Sequence, residues 1–336
     1  MTRWTLAALG LVLAVLVEFG AHVRGAEFVY EDERAFSAAG VSLLRPRGLA
    51  AVSWRLMPIT PQHAHAVSLG LHLLTVAALG ALVWRLTGSG AVSWGAAAIF
   101  ALHPLQIEPA AYAAARGELI ATLGVLLACL CATTRSWAAW ALLPACVALG
   151  LGGKESAIVA GGLVPLTLWA QGRLRWWMVA IAAGAGLAVA AGIAQAIGYP
   201  LLQLVNVGEE PYVRTTAIDW LLLQGTAAYR LIVLSIVPLW LTVDPDVELV
   251  PVALQLGALV ILAGLVEVAW RQRTARPLLT LGIAWMVIGI VPRLIVQTPR
   301  SVLNAHQWNL LMVGPSIVGA ALIAGRWRMK ERMVCR

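Results

Sequence analysis

AHAVSLGLHLLTVAALGALVWRL, residues 64–86, carries one formal charge, Arg85, at its far end beside Trp84. A run of this length and polarity satisfies the roughly 20 apolar residues that a helix needs to cross a bilayer. Similar runs recur along nearly the whole chain. The 336 residues are 60% hydrophobic and only 12% charged, whereas soluble domains are about 45–50% apolar and about 25% charged. The composition predicts an all-α, polytopic membrane protein with about ten transmembrane helices.

Expected spans fall at 4–22, 64–86, 89–106, 118–134, 136–153, 155–171, 177–198, 250–270, 277–296 and 308–325. The first of these has features of a signal peptide, with Arg3, an apolar core and the small residue Ala26. An uncleaved helix lets the later spans alternate consistently. Thirteen of the 24 basic residues but only two of the 16 acidic ones, Glu267 and Glu331, then share the side of the N-terminus. Cytoplasmic loops carry such an excess of Lys and Arg, so that side is assigned as the inside. Trp84, Trp169, Trp176, Trp177, Trp270 and Trp327 stand next to its arginines, as an interfacial aromatic belt would. The net charge of +8 is therefore explained by topology, without nucleic acid.

Long outer connections are expected at about 23–63 and 199–249, with shorter ones at 104–117 and 297–307. Within the second, WLLLQGTAAYRLIVLSIVPLW (220–240) is amphipathic or re-entrant; counting it as a span would invert the charge balance of everything after it. No soluble domain, internal repeat or linker interrupts the chain, so residues 1–336 read as one membrane domain. Cys129, Cys131, Cys146 and Cys335 have no metal-ligand spacing and no extracytoplasmic pairing. They are expected to pack.

Polar chemistry gathers at the outer ends. The first loop holds EFVYEDERAF, with Glu27, Glu31, Asp32, Glu33 and Arg34, and then Arg45, Arg47 and Arg55. Two readings stand: a solvated loop, or an acid that takes a hydroxyl proton beside cations that hold an anion. HPLQIEPAAYAAARGE (103–118) places His103, Glu108, Arg116 and Glu118 in a short connection at the membrane face. Ionisable groups at that depth are costly and are functional candidates by default, although a helix cap and snorkelling, with Glu108 on Arg116, would also account for them. Lys154, one of two lysines, lies in the outer turn LGLGGKESAIV, where its charge opposes the topology rule; an anionic partner is expected, with Glu155 the sequence-adjacent candidate. His65, Ser68 and His72 share one face of a helix and read as polar packing more readily than as metal ligands.

The order of these elements resembles the GT-C membrane glycosyltransferases, among them bacterial relatives of the transmembrane-and-TPR O-mannosyltransferases and, more distantly, protein O-mannosyltransferases. FVYEDERAF resembles the family's acidic pair at Glu31-Asp32, and Arg45-Pro46 its Arg-Pro element. HPLQIEPAAYAAARGELIA is similar to its most specific segment: His-Pro, Glu, then Arg and an acid. Lys154-Glu155, the TAAYRLIVLSIVPLWLTVDPD segment and LNAHQWNLLMVGPSI follow in order, so the likeness covers nearly the full chain. Glu31 stands where the family has Asp, Ser68 replaces an Asn, LNAHQW lacks a Glu and an Arg, and no TPR array follows the last span.

The resemblance implies an inverting glycosyltransferase whose donor is a polyprenyl-phosphate-linked monosaccharide. The acceptor would be a hydroxyl of a protein or glycan at the outer face of a bacterial cytoplasmic membrane, a source to which the Ala-rich, Arg-over-Lys composition also points. It implies Asp32, with Glu31, as the catalytic acids. Arg116, Lys154 and Arg45 would hold the donor phosphate, and His103, Glu108, Glu118 and His65 would shape the site. No metal ligand is assigned, and a divalent metal requirement stays open. The rival expectations are a non-catalytic lipid-binding or assembly subunit and a transporter of lipid-linked substrates. Charges clustered at one face, with nearly uncharged span centres, count against the transporter.

Overall fold

A computed structural model describes residues 3–25, 27, 52–53, 60–176, 178–180, 184, 217–239, 250–295 and 308–323. Most of these residues are helical, with no strand among them. The helices are α1 (Arg3–Arg24), α2 (Pro61–Thr87), α3 (Gly90–Leu102), the short α4 (Ile107–Ala111), α5 (Arg116–Thr133) and α6 (Trp137–Gly153). They continue with α7 (Ala160–Ala170), α8 (Ala217–Ile236), α9 (Val252–Gln272), α10 (Pro277–Ile295), α11 (Trp308–Leu311) and α12 (Val313–Ile323). Pro61–Thr87, Ala113–Thr133 and Val252–Gln272 are long and apolar enough to cross a membrane. Gly90–Leu102 and Pro104–Ala111, bent by 60°, make a fourth if counted as one span. An apolar helix stands at each expected span except 177–198, most of which lies outside the described residues.

The expected connection at 104–117 is not an open loop. His103 ends α3 in an extended conformation (φ −72°, ψ 131°), as a residue before proline favours. Its Nδ1 accepts the Leu105 N–H at 3.2 Å, capping a 3-10 turn at Pro104–Gln106. After α4, a second 3-10 turn at Ala113–Ala115 leads into α5. Gln106, Glu108, Ala113 and Ala115 are buried along this path, so the segment is folded back into the bundle.

α5 is the central helix, packed by α2, α6 and α7. Its apolar window is 72% buried, against 17% for α9, which is therefore peripheral. The α5–α6 crossing depends on small residues, as helix contacts in membranes commonly do. A Cβ on Gly153 would lie 2.8 Å from both the Gly117 carbonyl oxygen and the Ile120 Cβ. Gly153→Ala is accordingly expected to cost about 1–3 kcal/mol through overpacking. Thermal unfolding of the purified protein in detergent checks it; an unchanged midpoint would show that the crossing has slack.

α8, the amphipathic stretch, is a 20-residue helix packed along α9. Gln255 of α9 joins the pair by donating through Nε2 to Thr226 Oγ1 at 3.0 Å and to the Val250 carbonyl at 2.7 Å. Of the cysteines expected to pack, Cys129 is buried, and the Cys131 and Cys146 sulfurs lie 3.9 Å apart across the α5–α6 contact; Cys335 lies outside the described residues.

Candidate functional site

The site builds on the close approach of Gly117 and Gly153, because the residues that follow them in sequence carry opposite charges. Lys154 leaves α6 in an extended conformation (φ −159°, ψ 149°), and Glu155 begins a 3-10 turn that runs to Val159. Lys154 turns inward, 8% exposed, and donates to Glu118 Oε1 at 2.5 Å. Ser156 Oγ donates to the other carboxylate oxygen, Oε2, at 3.2 Å. The carboxylate that holds Lys154 is thus Glu118, in the first turn of α5, and the expected candidate Glu155 is exposed. Glu118 also lies where the helix dipole favours an anion.

Arg116 begins the same helix, where the dipole disfavours a cation, yet it is only 2% exposed. Its Nη2 donates to the Ala64 carbonyl at 2.8 Å, and its Nη1 to Ser53 Oγ at 3.2 Å and the Ser53 carbonyl at 3.4 Å. The guanidinium therefore ties the start of α5 to the start of α2. That start is well defined: Thr60 caps it, accepting the His63 N–H at 3.3 Å, and Pro61 occupies its first turn.

His65 follows Ala64 on α2 and is 5% exposed, with neither ring nitrogen hydrogen-bonded among the described residues. Ser68 is fully buried on the same face, its hydroxyl likewise unpartnered. His72 lies deeper, its ring 5.5 Å from that of Phe19 and 5.9 Å from that of Phe100, with Nε2 3.2 Å from the Ala101 carbonyl oxygen. The histidine face is thus polar near Arg116 and becomes aromatic packing within two turns.

Glu108 is buried on α4. His103 is only partly buried, and its Nδ1 is taken up by the Leu105 N–H. Nearby, Asn309 of α11 donates to Gln106 Oε1 at 2.6 Å, and the Trp285 indole anchors α11 by donating to the Leu310 carbonyl at 3.1 Å. Asp32, Glu31 and Arg45 lie outside the described residues. Arg116 is thus joined to the start of the His65 helix and Glu118 to Lys154, both at the same end of α5, whereas His103 caps the turn after α3.

Sequence reasoning missed Ser156, Ser53 and the Gln106–Asn309 pair. A lone Asn in the apolar WNLLMVG run is itself a polar-residue signal at membrane depth, but nothing in the sequence points from it to Gln106. Among the described residues, no three His, Cys, Asp or Glu side chains converge as ligands for a metal ion.

Chemically, the cluster presents two buried cations and one buried carboxylate at one end of long apolar helices. Such an arrangement can hold an anionic group at the edge of an apolar phase. The class so defined is an all-helical protein with helices suited to crossing a membrane. No family model, curated protein or solved structure matches the chain.

Proposed function

We propose that the chain is a polytopic glycosyltransferase of about ten spans in a bacterial cytoplasmic membrane. It moves a sugar from a polyprenyl-phosphate-linked donor to a hydroxyl on a protein or glycan at the outer face. Asp32 takes the proton of the acceptor hydroxyl, whose oxygen attacks the sugar C1 with inversion. The C1–O bond to the lipid phosphate breaks, and the phosphate leaves toward Arg116 and Lys154. Glu31 is the second catalytic acid, Arg45 joins Arg116 and Lys154 in holding the phosphate, and Glu118, Glu108, His65 and His103 shape the site.

The observation that carries the reading is the burial of Arg116 and Lys154 at the same end of the apolar helices, since ionisable groups at that depth are costly and mark candidate ligand sites. Purified protein in bilayers, supplied with radiolabelled polyprenyl-phosphate monosaccharides, is expected to transfer label to a protein or glycan acceptor. Transfer absent across donors would overturn the enzyme reading. Arg116→Gln removes the charge but retains a donor for the Ala64 carbonyl. It is expected to weaken donor binding by roughly ten- to a hundred-fold, the worth of about 1.5–3 kcal/mol for a hydrogen bond to a charged group; unchanged affinity would remove Arg116 from the phosphate site.

A second reading has its own support. Lys154 is already neutralised by Glu118, and Arg116 already serves Ala64 and Ser53, as an architectural role requires. On that reading the chain is a non-catalytic lipid-binding or assembly subunit, and lipid donors bind without label transfer.

A further inference from the structure

At the end of the helices opposite Arg116 and Lys154, a second group of cations comes together. Arg85 lies in the last turn of α2, Arg135 between α5 and α6, and Arg173 just beyond α7. Because α5 packs against α2, α6 and α7, these ends adjoin. α7 closes with a Schellman turn: Gly172 takes the left-handed φ of 63°, its N–H reaches the Trp169 carbonyl at 2.7 Å, and the Arg173 N–H reaches the Leu168 carbonyl at 2.8 Å.

The turn sends Arg173 back onto the C-terminus of α5. There Nη1 donates to the Ala132 and Thr133 carbonyls at 3.2 and 3.1 Å and to Gln171 Oε1 at 3.2 Å, while Nη2 donates to the Thr134 carbonyl at 3.1 Å. These contacts hold the guanidinium in place, but carbonyls do not neutralise it. Burial, followed by the like charges of Arg135 and Arg85, lowers the Arg173 pKa, so the three guanidiniums lie within electrostatic reach of one another.

No Asp or Glu occurs in residues 85–92, 133–138 or 170–177. The surroundings are aromatic instead, with Trp84, Trp137 and Trp176 exposed by 45%, 83% and 82%. Exposed indoles in a membrane protein mark the headgroup level, where a phosphodiester is the abundant anion and matches the guanidinium fork. Independent snorkelling would not require one arginine to be anchored beside two others.

We propose that Arg85, Arg135 and Arg173 form a binding site for the phosphodiester headgroup of an anionic phospholipid, at the membrane face opposite the Arg116–Lys154 cluster. The site is independent of the glycosyltransferase reading.

The test is native mass spectrometry of the full chain released from mixed phosphatidylcholine and phosphatidylglycerol bilayers. Wild type is expected to retain phosphatidylglycerol selectively. The double variant Arg85→Gln/Arg135→Gln, which spares the structural contacts of Arg173, should lose about tenfold in that affinity. Arg271→Gln, at another turn of the same end, should retain it. Equal loss in Arg271→Gln would indicate diffuse attraction and overturn the site. If the double variant does not fold, wild type alone decides: no preference for phosphatidylglycerol over phosphatidylcholine, or displacement of the lipid by equimolar inorganic phosphate, refutes the proposal.

Discussion

Glu118→Met is expected to destabilise the protein by about 3–5 kcal/mol, because removing one partner of a buried pair leaves the other charge uncompensated. The remaining ammonium, Lys154, is 8% exposed and has no water shell to return to without opening the α5–α6 contact. Glu118→Met/Lys154→Met should recover most of that loss, since replacing a buried pair by apolar side chains of similar volume is often neutral or stabilising. Thermal unfolding in detergent measures both. Equal instability in the single and double variants would mean that the pair's charges are not what matters. The recovered double variant also separates two roles: if it folds yet no longer binds a polyprenyl-phosphate donor, the pair serves a ligand as well as the helix crossing.

Asp32→Asn is expected to reduce sugar transfer by roughly 10²–10⁴-fold, the range for loss of a general base, while donor binding stays near wild type. An amide has nearly the shape of the carboxylate but cannot accept the hydroxyl proton. Initial rates at saturating donor and acceptor provide the measurement. Full transfer by a correctly folded Asp32→Asn protein would rule out Asp32 as the base. Retained donor affinity together with a lost rate would separate the acid of the first loop from the cations of α5 and the Lys154 turn.

The helices themselves were legible from uninterrupted apolarity, which requires no knowledge of neighbours: residues 64–86 predicted a helix, and α2 runs Pro61–Thr87. The histidine face was also legible, because positions 65, 68 and 72 share a side of any helix, and all three are buried. The path of 103–118 was harder to read. His103-Pro104 signals a break, but the burial of the turns after it depends on α2, α5 and α11, which approach from elsewhere in the chain.

Composition, apolar run length and the distribution of Arg and Lys determined on their own an all-helical chain with membrane-length helices and a polar turn at 103–118. These are properties of each segment in its solvent. Only the tertiary structure decided that Lys154 meets Glu118, 36 positions away in sequence. Lys154 is buried, and the Gly117–Gly153 contact brings α5 close enough for its carboxylate to meet the ammonium. Adjacency in sequence proposed Glu155, but only helix spacing could bring a carboxylate from so far along the chain to the buried ammonium.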